Sequence, residues 1–355
     1  MRFQTAARLF LCLVLLMQPS AFAFETDQYN LPPQPLADIG DEVSEYTEGN
    51  LRKAVEKINA EILVRQSCLE NKSVRTGKVK CDSAERERAR LEYLRSENAI
   101  ARAVYNQLGA GIIPFTKSGS WMESHEFTAQ PARYKTGYRK SIFLVFPPDY
   151  LTISSTVNLY GTQFGTDKIA HFFQQGYAYY KIHNRASAKG FTAEKAAEKA
   201  VRWGRRTERT FYGTLVSGVF SNADLFANYV GMKFYQNLTR PVKIGDNIKP
   251  AVLLVKNGTW KLGENADLRA SLIKPFISNH FNEALNPSIF IKGLRSSVRR
   301  SVRKQSCPRW FEQYPNLSQA DMNKTLEASK LWYGEDYGFT ASENFITISN
   351  TCFNN

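Results

Sequence analysis

Apolar residues recur at helical spacing along most of this chain. One stripe starts at Leu51, and a longer one runs from Leu91 to Leu108, where Gly109 supplies a helix stop. Further helices are predicted over residues 166–183, 192–210, 221–238 and 267–286. The pattern predicts a mainly α fold with a helical-bundle core.

Strand signals are few. Two short apolar runs flank Asn257-Gly258, a pair that accepts the positive φ angles of a tight turn, so a minor β-hairpin is predicted over 252–262. The run 141–146 ends at two prolines and suits a short strand or an extended packing segment. The predicted organisation is a signal peptide at 1–23, an extended N-terminus at 24–46, a helical hairpin at 47–109, a helical core domain at 110–290, and a basic helix with a C-terminal segment at 291–355.

The amino terminus has the pattern of a secretory signal. Arg2 and Arg8 precede the short apolar run 9–17, and Ala21-Phe22-Ala23 fits a cleavage site. An uncleaved N-terminal anchor is the alternative. No apolar run of about 20 residues follows, so no transmembrane segment is predicted after cleavage. The expected location is the periplasm or the outside of the cell.

Cysteine usage agrees with export. The chain has five cysteines, and Cys12 lies within the signal. An even set of four in an exported protein favours disulfides over metal binding. Of the three pairings, we prefer Cys68–Cys81 and Cys307–Cys352, because each closes its own segment.

Composition excludes some classes and leaves others open. The 355 residues are 43% apolar, which excludes a disordered or collagen-like chain. Lys and Arg number 47 against 33 Asp and Glu, a net charge of +14, and such an excess favours anionic partners. P-loop, dinucleotide, nucleophile-elbow and HExxH motifs are lacking, so no nucleotide partner is expected.

Polar pairs in two predicted helices are the main candidate site. Asp167 and His171 are four residues apart, and so are Asp224 and Asn228, which lie in a segment apolar nearly all round and therefore buried. A buried carboxylate needs a partner, and the face formed by Asp167, Lys168 and His171 is the natural one.

Three interpretations of this predicted contact between the two helices remain open. It suits a divalent-metal site formed by Asp167, His171 and Asp224, or an acid–base cluster in which Asp224 orients His171. The third is a structural polar network. A capping box between Ser221 and Asp224 would explain Asp224 but not Asn228.

These residues resemble a known signature. Asp167-Lys168-x-x-His171, then Glu208, then Ser221-x-x-Asp224-x-x-x-Asn228-x-x-Gly231 is similar to the pattern of VanZ-like proteins and of YfiM-type predicted periplasmic lipoproteins. The resemblance covers residues ~165–235 only. It implies cell-envelope biochemistry and a single site formed by Asp167, Lys168, His171, Glu208, Asp224 and Asn228.

His280 and Glu283, three residues apart in the predicted helix 267–286, could add ligands or a general acid to that site. The alternative is an ordinary helix end, with Asn286 as the last residue before Pro287.

A basic stretch follows. Between Lys292 and Arg309 there are seven basic residues and no acid, and those assigned to an anionic surface are Arg295, Arg299, Arg300, Arg303 and Lys304. Aromatic residues suited to base stacking are not interleaved, which disfavours nucleic acid and favours an anionic envelope lipid or glycan. A solvated helix that only aids solubility is the alternative.

Two function hypotheses follow. The first is an exported envelope enzyme that hydrolyses or transfers a group on a lipid or glycan, by metal or acid–base chemistry at the polar residues. The second is a non-catalytic binding or scaffold protein that places its basic helix on anionic envelope surfaces.

Overall fold

The computed structural model describes residues 25–70, 81–113, 115–145, 153–210, 212–215, 217–263, 268, 272–340 and 344–353. The predicted signal peptide lies outside these residues. None of the helices within them combines the length and apolar character needed to cross a membrane.

The chain is mainly helical, as predicted. The helices are α1 Gly40–Glu70, α2 Ala84–Leu94, α3 Glu97–Leu108, α4 Lys117–Ser124, α5 (Asp167–Ala170, His171–Gln175 and Gly176–Ser187 in unbroken succession), α6 Ala193–Glu208, α7 Asn222–Asn237, α8 Lys292–Ser301, α9 Cys307–Gln313, α10 Gln319–Ala328 and α11 Ile348–Cys352. A helical bundle as the core arrangement remains a prediction.

Short antiparallel sheets accompany the helices. The strands are β1 Thr156–Leu159, β2 Thr162–Gly165, β3 Val219–Ser221, β4 Val242–Ile244, β5 Asn247–Lys249, β6 Leu253–Lys256, β7 Thr259–Leu262, β8 Ser288–Phe290 and β9 Phe345–Ile346. The strands β3, β8 and β9 form one sheet, and β1–β2, β4–β5 and β6–β7 are hairpins. The β3–β8–β9 sheet leads directly into α7, so it fixes where that helix begins.

Helix α7 lies at the centre of the molecule. Every residue of it except Lys233 is buried, and it packs against α5 and α6. Its apolar side chains belong to the larger of two hydrophobic clusters. The smaller cluster joins Tyr29 of the N-terminal segment to Trp310 of α9 and Ile346 of β9.

Several local predictions are confirmed. The hairpin turn has φ angles of 53° at Asn257 and 76° at Gly258, as an Asn-Gly turn requires. Both disulfides have the predicted pairing, Cys68–Cys81 and Cys307–Cys352.

Four local predictions are wrong. The long second helix is two helices, because Ser83 and Ser96 each cap a separate N-terminus by accepting from the backbone of Arg86 and Ala99. The extended N-terminus ends before Gly40, where α1 already begins.

The other two departures concern backbone hydrogen bonding. The expected strand at 141–146 begins instead as a 3₁₀ turn over Ile142–Val145, because the amide of Ile142 donates to the Asp27 carboxylate and not to a neighbouring strand. Within the expected helix 267–286, Leu268 is helical, but the described residues from 272 onward contain two 3₁₀ turns, Lys274–Phe276 and Asn279–Phe281, in place of a continuous helix. Pro275 lacks the N–H that a helix there would need.

Candidate functional site

The candidate site is a buried polar cluster between α5, α7 and the N-terminal segment. We define the polar cluster as Glu25, Asp167, Lys168, His171, Glu208, Asp224, Asn228 and Glu283. Helix α5 contributes Asp167, Lys168 and His171 from its first turns, and α7 contributes Asp224 and Asn228. All of these residues are buried.

Lys168 is the centre of this cluster. Its Nζ lies 2.5 Å from Oδ2 of Asp167, 2.6 Å from Oδ1 of Asp224 and 2.6 Å from Oε1 of Glu283. One ammonium group therefore holds three carboxylates from three separate parts of the chain.

His171 lies between two oxygen atoms of α7. Its Nε2 is 3.3 Å from Oδ2 of Asp224, and its Nδ1 is 3.1 Å from Oδ1 of Asn228. Each ring nitrogen therefore faces one oxygen atom of α7. The spacing of four residues in both helices thus aligns two polar pairs, as the sequence predicted.

The start of α7 explains why Asp224 faces this cluster. The Ser221 hydroxyl accepts from the Asp224 amide at 3.0 Å, which caps the helix, while the Ser221 amide donates to Oε1 of Glu208 at 3.0 Å. In the capping-box alternative the Asp224 side chain would return to Ser221. It contacts Lys168 and His171 instead, and Glu208 takes the capping position.

Glu283 joins the cluster without the predicted helix. The hydroxyls of Ser221 and Ser288 donate to its two carboxylate oxygens, at 2.6 Å and 2.5 Å. Since Ser221 and Ser288 face each other across the β3–β8 pair, the sheet register places this carboxylate.

His280 does not join the cluster. Its ring stacks on Phe226 with centroids 4.4 Å apart, and its nitrogens contact the Ser278 hydroxyl and the carbonyls of Ala328 and Leu331. The predicted pair with Glu283 fails because no helix places the two side chains on one face.

The N-terminal segment supplies two residues that the sequence analysis missed. Glu25 is 2% exposed, and the Thr26 hydroxyl donates to Oδ1 of Asp167 at 2.6 Å. Gly165 leaves the space for that bond, because a Cβ there would lie 2.0 Å from the Thr26 hydroxyl oxygen. No periodic pattern marks Glu25 in an extended segment, so local sequence signals could not have found it.

Burial and crowding of like charges change the ionisation of the cluster. Burial and the neighbouring charge of Asp224 raise the pKa of Glu25 and the pKa of Glu208 well above the usual range. Burial also raises the pKa of Glu283, although Lys168 opposes it. Burial alone would lower the pKa of Lys168, but Asp167, Asp224 and Glu283 outweigh it and hold that pKa well above its usual value.

Carboxylates in the described residues form two groups that could hold a metal ion. One consists of Asp167, Asp224 and Glu283, and the other of Glu25, Glu208 and Asp224. The first already surrounds the Lys168 ammonium. The trio that the sequence suggested, Asp167, His171 and Asp224, is not one of these groups.

A cleft of about 230 Å³ lies beside the cluster, lined in part by Gln28, Gln163 and Asn282. Gln28 accepts from the Glu283 amide at 2.5 Å, and Asn282 is the chain neighbour of Glu283. The cleft is therefore lined by neighbours of Glu283, whereas the residues of the polar cluster itself do not line it.

The predicted basic side chains lie on α8 and the π-helical turn that follows it. Val298 and Val302 are buried and face the core. Arg300 and Lys304 are exposed, and Arg295 is partly buried. Arg299 and Arg303 donate to the carbonyls of Phe345 and Thr351, so these two side chains also hold the C-terminal segment.

Comparison with protein-family models, with curated proteins and with solved structures gave no match for this chain.

Proposed function

We propose that this chain is an exported cell-envelope enzyme, periplasmic or secreted, that hydrolyses or transfers a group on an envelope lipid or glycan. Proton transfer would be carried out by His171 with Asp224. The two disulfides support an oxidising compartment. Membership of the VanZ-like group remains a prediction.

One observation carries this proposal. Five carboxyl groups, each between 1% and 3% exposed, surround a single lysine and a single histidine. A network that served only packing would be more stable if its charges balanced, because unbalanced buried charge is costly. Clusters in which crowding and burial raise the pKa values of carboxyl groups, as they do for Glu25 and Glu208, are typical of sites where protons are handled.

In this proposal the residues of the cluster would have separate tasks. Lys168 fixes Asp167, Asp224 and Glu283, so Asp224 presents its second oxygen to His171 in a single orientation. Asn228 holds the other ring nitrogen. In this proposal the Asn228 contact would give way to the substrate, so that Nδ1 of His171 exchanges a proton with the substrate while Asp224 keeps Nε2. A positioned imidazole contributes about 10²–10⁴-fold to the rate of proton transfer reactions.

The test is product formation from envelope material. We would incubate the purified chain with envelope phospholipid, lipopolysaccharide and peptidoglycan, and identify products by mass spectrometry. His171→Ala and Asp224→Asn are expected to lose about 100-fold or more of the activity. The matched control is His125→Ala, because His125 also lies 3.3 Å from a carboxylate, Glu42, outside the cluster. Folded His171→Ala and Asp224→Asn chains with full activity would refute the proposal.

A second candidate function is non-catalytic binding to an anionic envelope surface. It is favoured by the acid-free stretch from Lys292 to Arg309, in which Arg300 and Lys304 are exposed. Binding of this kind is electrostatic and should weaken as salt rises. Salt-insensitive binding to anionic vesicles, or none, would remove it.

A further inference from the structure

The polar cluster contains more carboxyl groups than basic partners. Lys168 pairs with Asp167, Asp224 and Glu283, and His171 pairs with the second oxygen of Asp224. If all five carboxyl groups are ionised, the negative charges exceed the positive ones by three even when His171 is charged. Glu25 and Glu208 are the two carboxyl groups that neither Lys168 nor His171 contacts directly.

Glu25 is the clearest sign of a missing partner. Its side chain is 2% exposed, and its Oε1 is buried without a hydrogen-bond partner in the part of the chain that the structure describes. A buried carboxylate oxygen left in this way is costly unless something else binds it. Glu208 uses its Oε1 to accept from the Ser221 amide.

The two glutamates come together with Asp224. One carboxylate oxygen from each of Glu25, Glu208 and Asp224 lies within 4.8 Å of the others. Since oxygen ligands lie about 2.0–2.6 Å from Mg²⁺ or Ca²⁺, three oxygens at this spacing can share one ion. The other carboxylate group is different, because the Lys168 ammonium already lies among its oxygens.

We propose that Glu25, Glu208 and Asp224 bind one divalent cation of the class that takes oxygen ligands, which includes Mg²⁺, Mn²⁺ and Ca²⁺. Three carboxylates and no thiolate or imidazole are the donor set of such hard cations. The ion would offset most of the unbalanced charge. What the bound cation would do chemically rests on the proposed function of the same cluster. Binding of the cation itself can be measured without any enzymatic activity.

The glycine at position 213 fits this assignment. A Cβ at Gly213 would lie 2.3 Å from Oε1 of Glu208, so only glycine leaves the carboxylate where it is. Gly165 does the same for Asp167, whose Oδ1 would lie 2.2 Å from a Cβ. The backbone on this side of the cluster is therefore shaped around carboxylate oxygens.

Mn²⁺ is the probe, because its free and bound forms differ in the electron paramagnetic resonance spectrum. We would titrate the purified full-length exported chain, with both disulfides formed, and count bound Mn²⁺. We expect one Mn²⁺ per chain, displaced by excess Mg²⁺ or Ca²⁺. Glu25→Gln and Glu208→Gln should each weaken binding at least tenfold.

The matched control is Glu87→Gln. Glu87 is a buried glutamate paired with Arg65, away from the cluster, and its variant should bind Mn²⁺ as the unaltered chain does. Unchanged binding by folded Glu25→Gln and Glu208→Gln chains would overturn the inference. If neither of these variants folds, titration of the unaltered chain decides: absence of saturable binding up to millimolar Mn²⁺ overturns the proposal, and binding of one ion supports it.

The outcome also separates this inference from the proposed function. If envelope material is converted, activity depends on His171 and no cation binds, then only the cation site is wrong. If a cation binds and no envelope material is converted, then the site stands and the enzymatic proposal fails.

Discussion

Two buried lysines show how partners determine the state of a residue. Lys168 is fully buried among three carboxylates, which hold its pKa well above the usual value. Lys249, in β5, is 9% exposed, and burial lowers its pKa to about 8. A buried lysine is thus held in its charged form in the polar cluster, whereas the buried charge of Lys249 lowers the stability of the folded chain.

We predict that Lys249→Met stabilises the chain at neutral pH. Below pH 8 both the folded and the unfolded chain carry the proton, so the cost of burying the charge is present in full. Between about 8 and the usual value of 10.5, the folded chain releases the proton first, and the stability of the unaltered chain rises. The variant should therefore gain roughly 1 to 3 kcal/mol at pH 7, and the gain should shrink toward pH 10.

Urea unfolding of both proteins from pH 6 to pH 10 measures this difference. Lys243→Met, in the neighbouring strand β4, is the control, because Lys243 is exposed and its replacement should show no such pH dependence. A gain for Lys249→Met that stays constant across this range would contradict the explanation.

At the residue scale, part of the candidate site could be predicted from sequence. Asp224 and Asn228 stand out because they are polar in a helix that is otherwise apolar, and His171 and Asp167 have the matching spacing. Glu25 could not be found, since it lies in an extended segment that only the tertiary fold brings next to the cluster. His280 was misplaced because residues 279–281 form a 3₁₀ turn and not the helix that would have aligned it with Glu283.

At the scale of elements, the site depends on how closely α5 and α7 approach. A Cβ at Gly231 would lie 2.0 Å from the Phe172 carbonyl oxygen, and one at Gly176 would lie 2.6 Å from Cα of Gly231. The two helices therefore touch backbone to backbone. Gly176 follows the π-helical turn His171–Gln175, an irregularity that often accompanies functional sites.

We predict that Gly231→Ala destabilises the chain by about 2 kcal/mol or more, because the added methyl group must push the helices apart. The control is Gly49→Ala in α1, where a Cβ meets nothing within 4 Å. There alanine should stabilise the helix, by up to about 1 kcal/mol. Guanidinium unfolding measures both changes, and equal effects at the two glycines would contradict a close helix contact.

The elements themselves were predictable where local signals sufficed. The helices α6 and α7 and the β6–β7 hairpin follow from spacing and from the Asn-Gly turn. Segments stabilised by side chains that are distant in sequence could not be predicted in this way. Residues 142–145 form a 3₁₀ turn because Asp27, far away in sequence, accepts from the Ile142 amide.

At the scale of the whole molecule, charge is divided between inside and outside. The chain carries a net charge of +14, yet its densest group of carboxylates is buried. Arg300 and Lys304 lie exposed on one surface, on the side of α8 opposite Val298 and Val302. The outer surface therefore presents more positive charge than the total composition indicates.

We predict that Arg300→Glu with Lys304→Glu weakens binding to phosphatidylglycerol vesicles. Each basic residue near an anionic membrane contributes about 1 kcal/mol, so losing two positive charges should lower the affinity roughly thirtyfold, and the two added negative charges should lower it further. Co-sedimentation at low and high salt measures this effect. Arg299 and Arg303 are left unchanged, because they also donate to backbone carbonyls.

The control for this surface is Lys189→Glu with Lys195→Glu, which reverses two exposed charges near the start of α6. An equal loss of binding in both double variants would mean that vesicle binding depends on the net charge of the whole chain and not on the basic residues of α8 and the turn that follows it.

The buried N-terminal segment also constrains the order in which the chain can fold. Thr26 contacts a residue 141 positions later, Gln28 one 255 positions later and Tyr29 one 317 positions later. Contacts of such long sequence separation slow folding. If a chain of this kind is exported amino end first, the residues that emerge earliest cannot form their native contacts until nearly all of the other residues have emerged. Such a chain would depend on chaperones that keep its leading end from aggregating until its last strand, β9, has arrived.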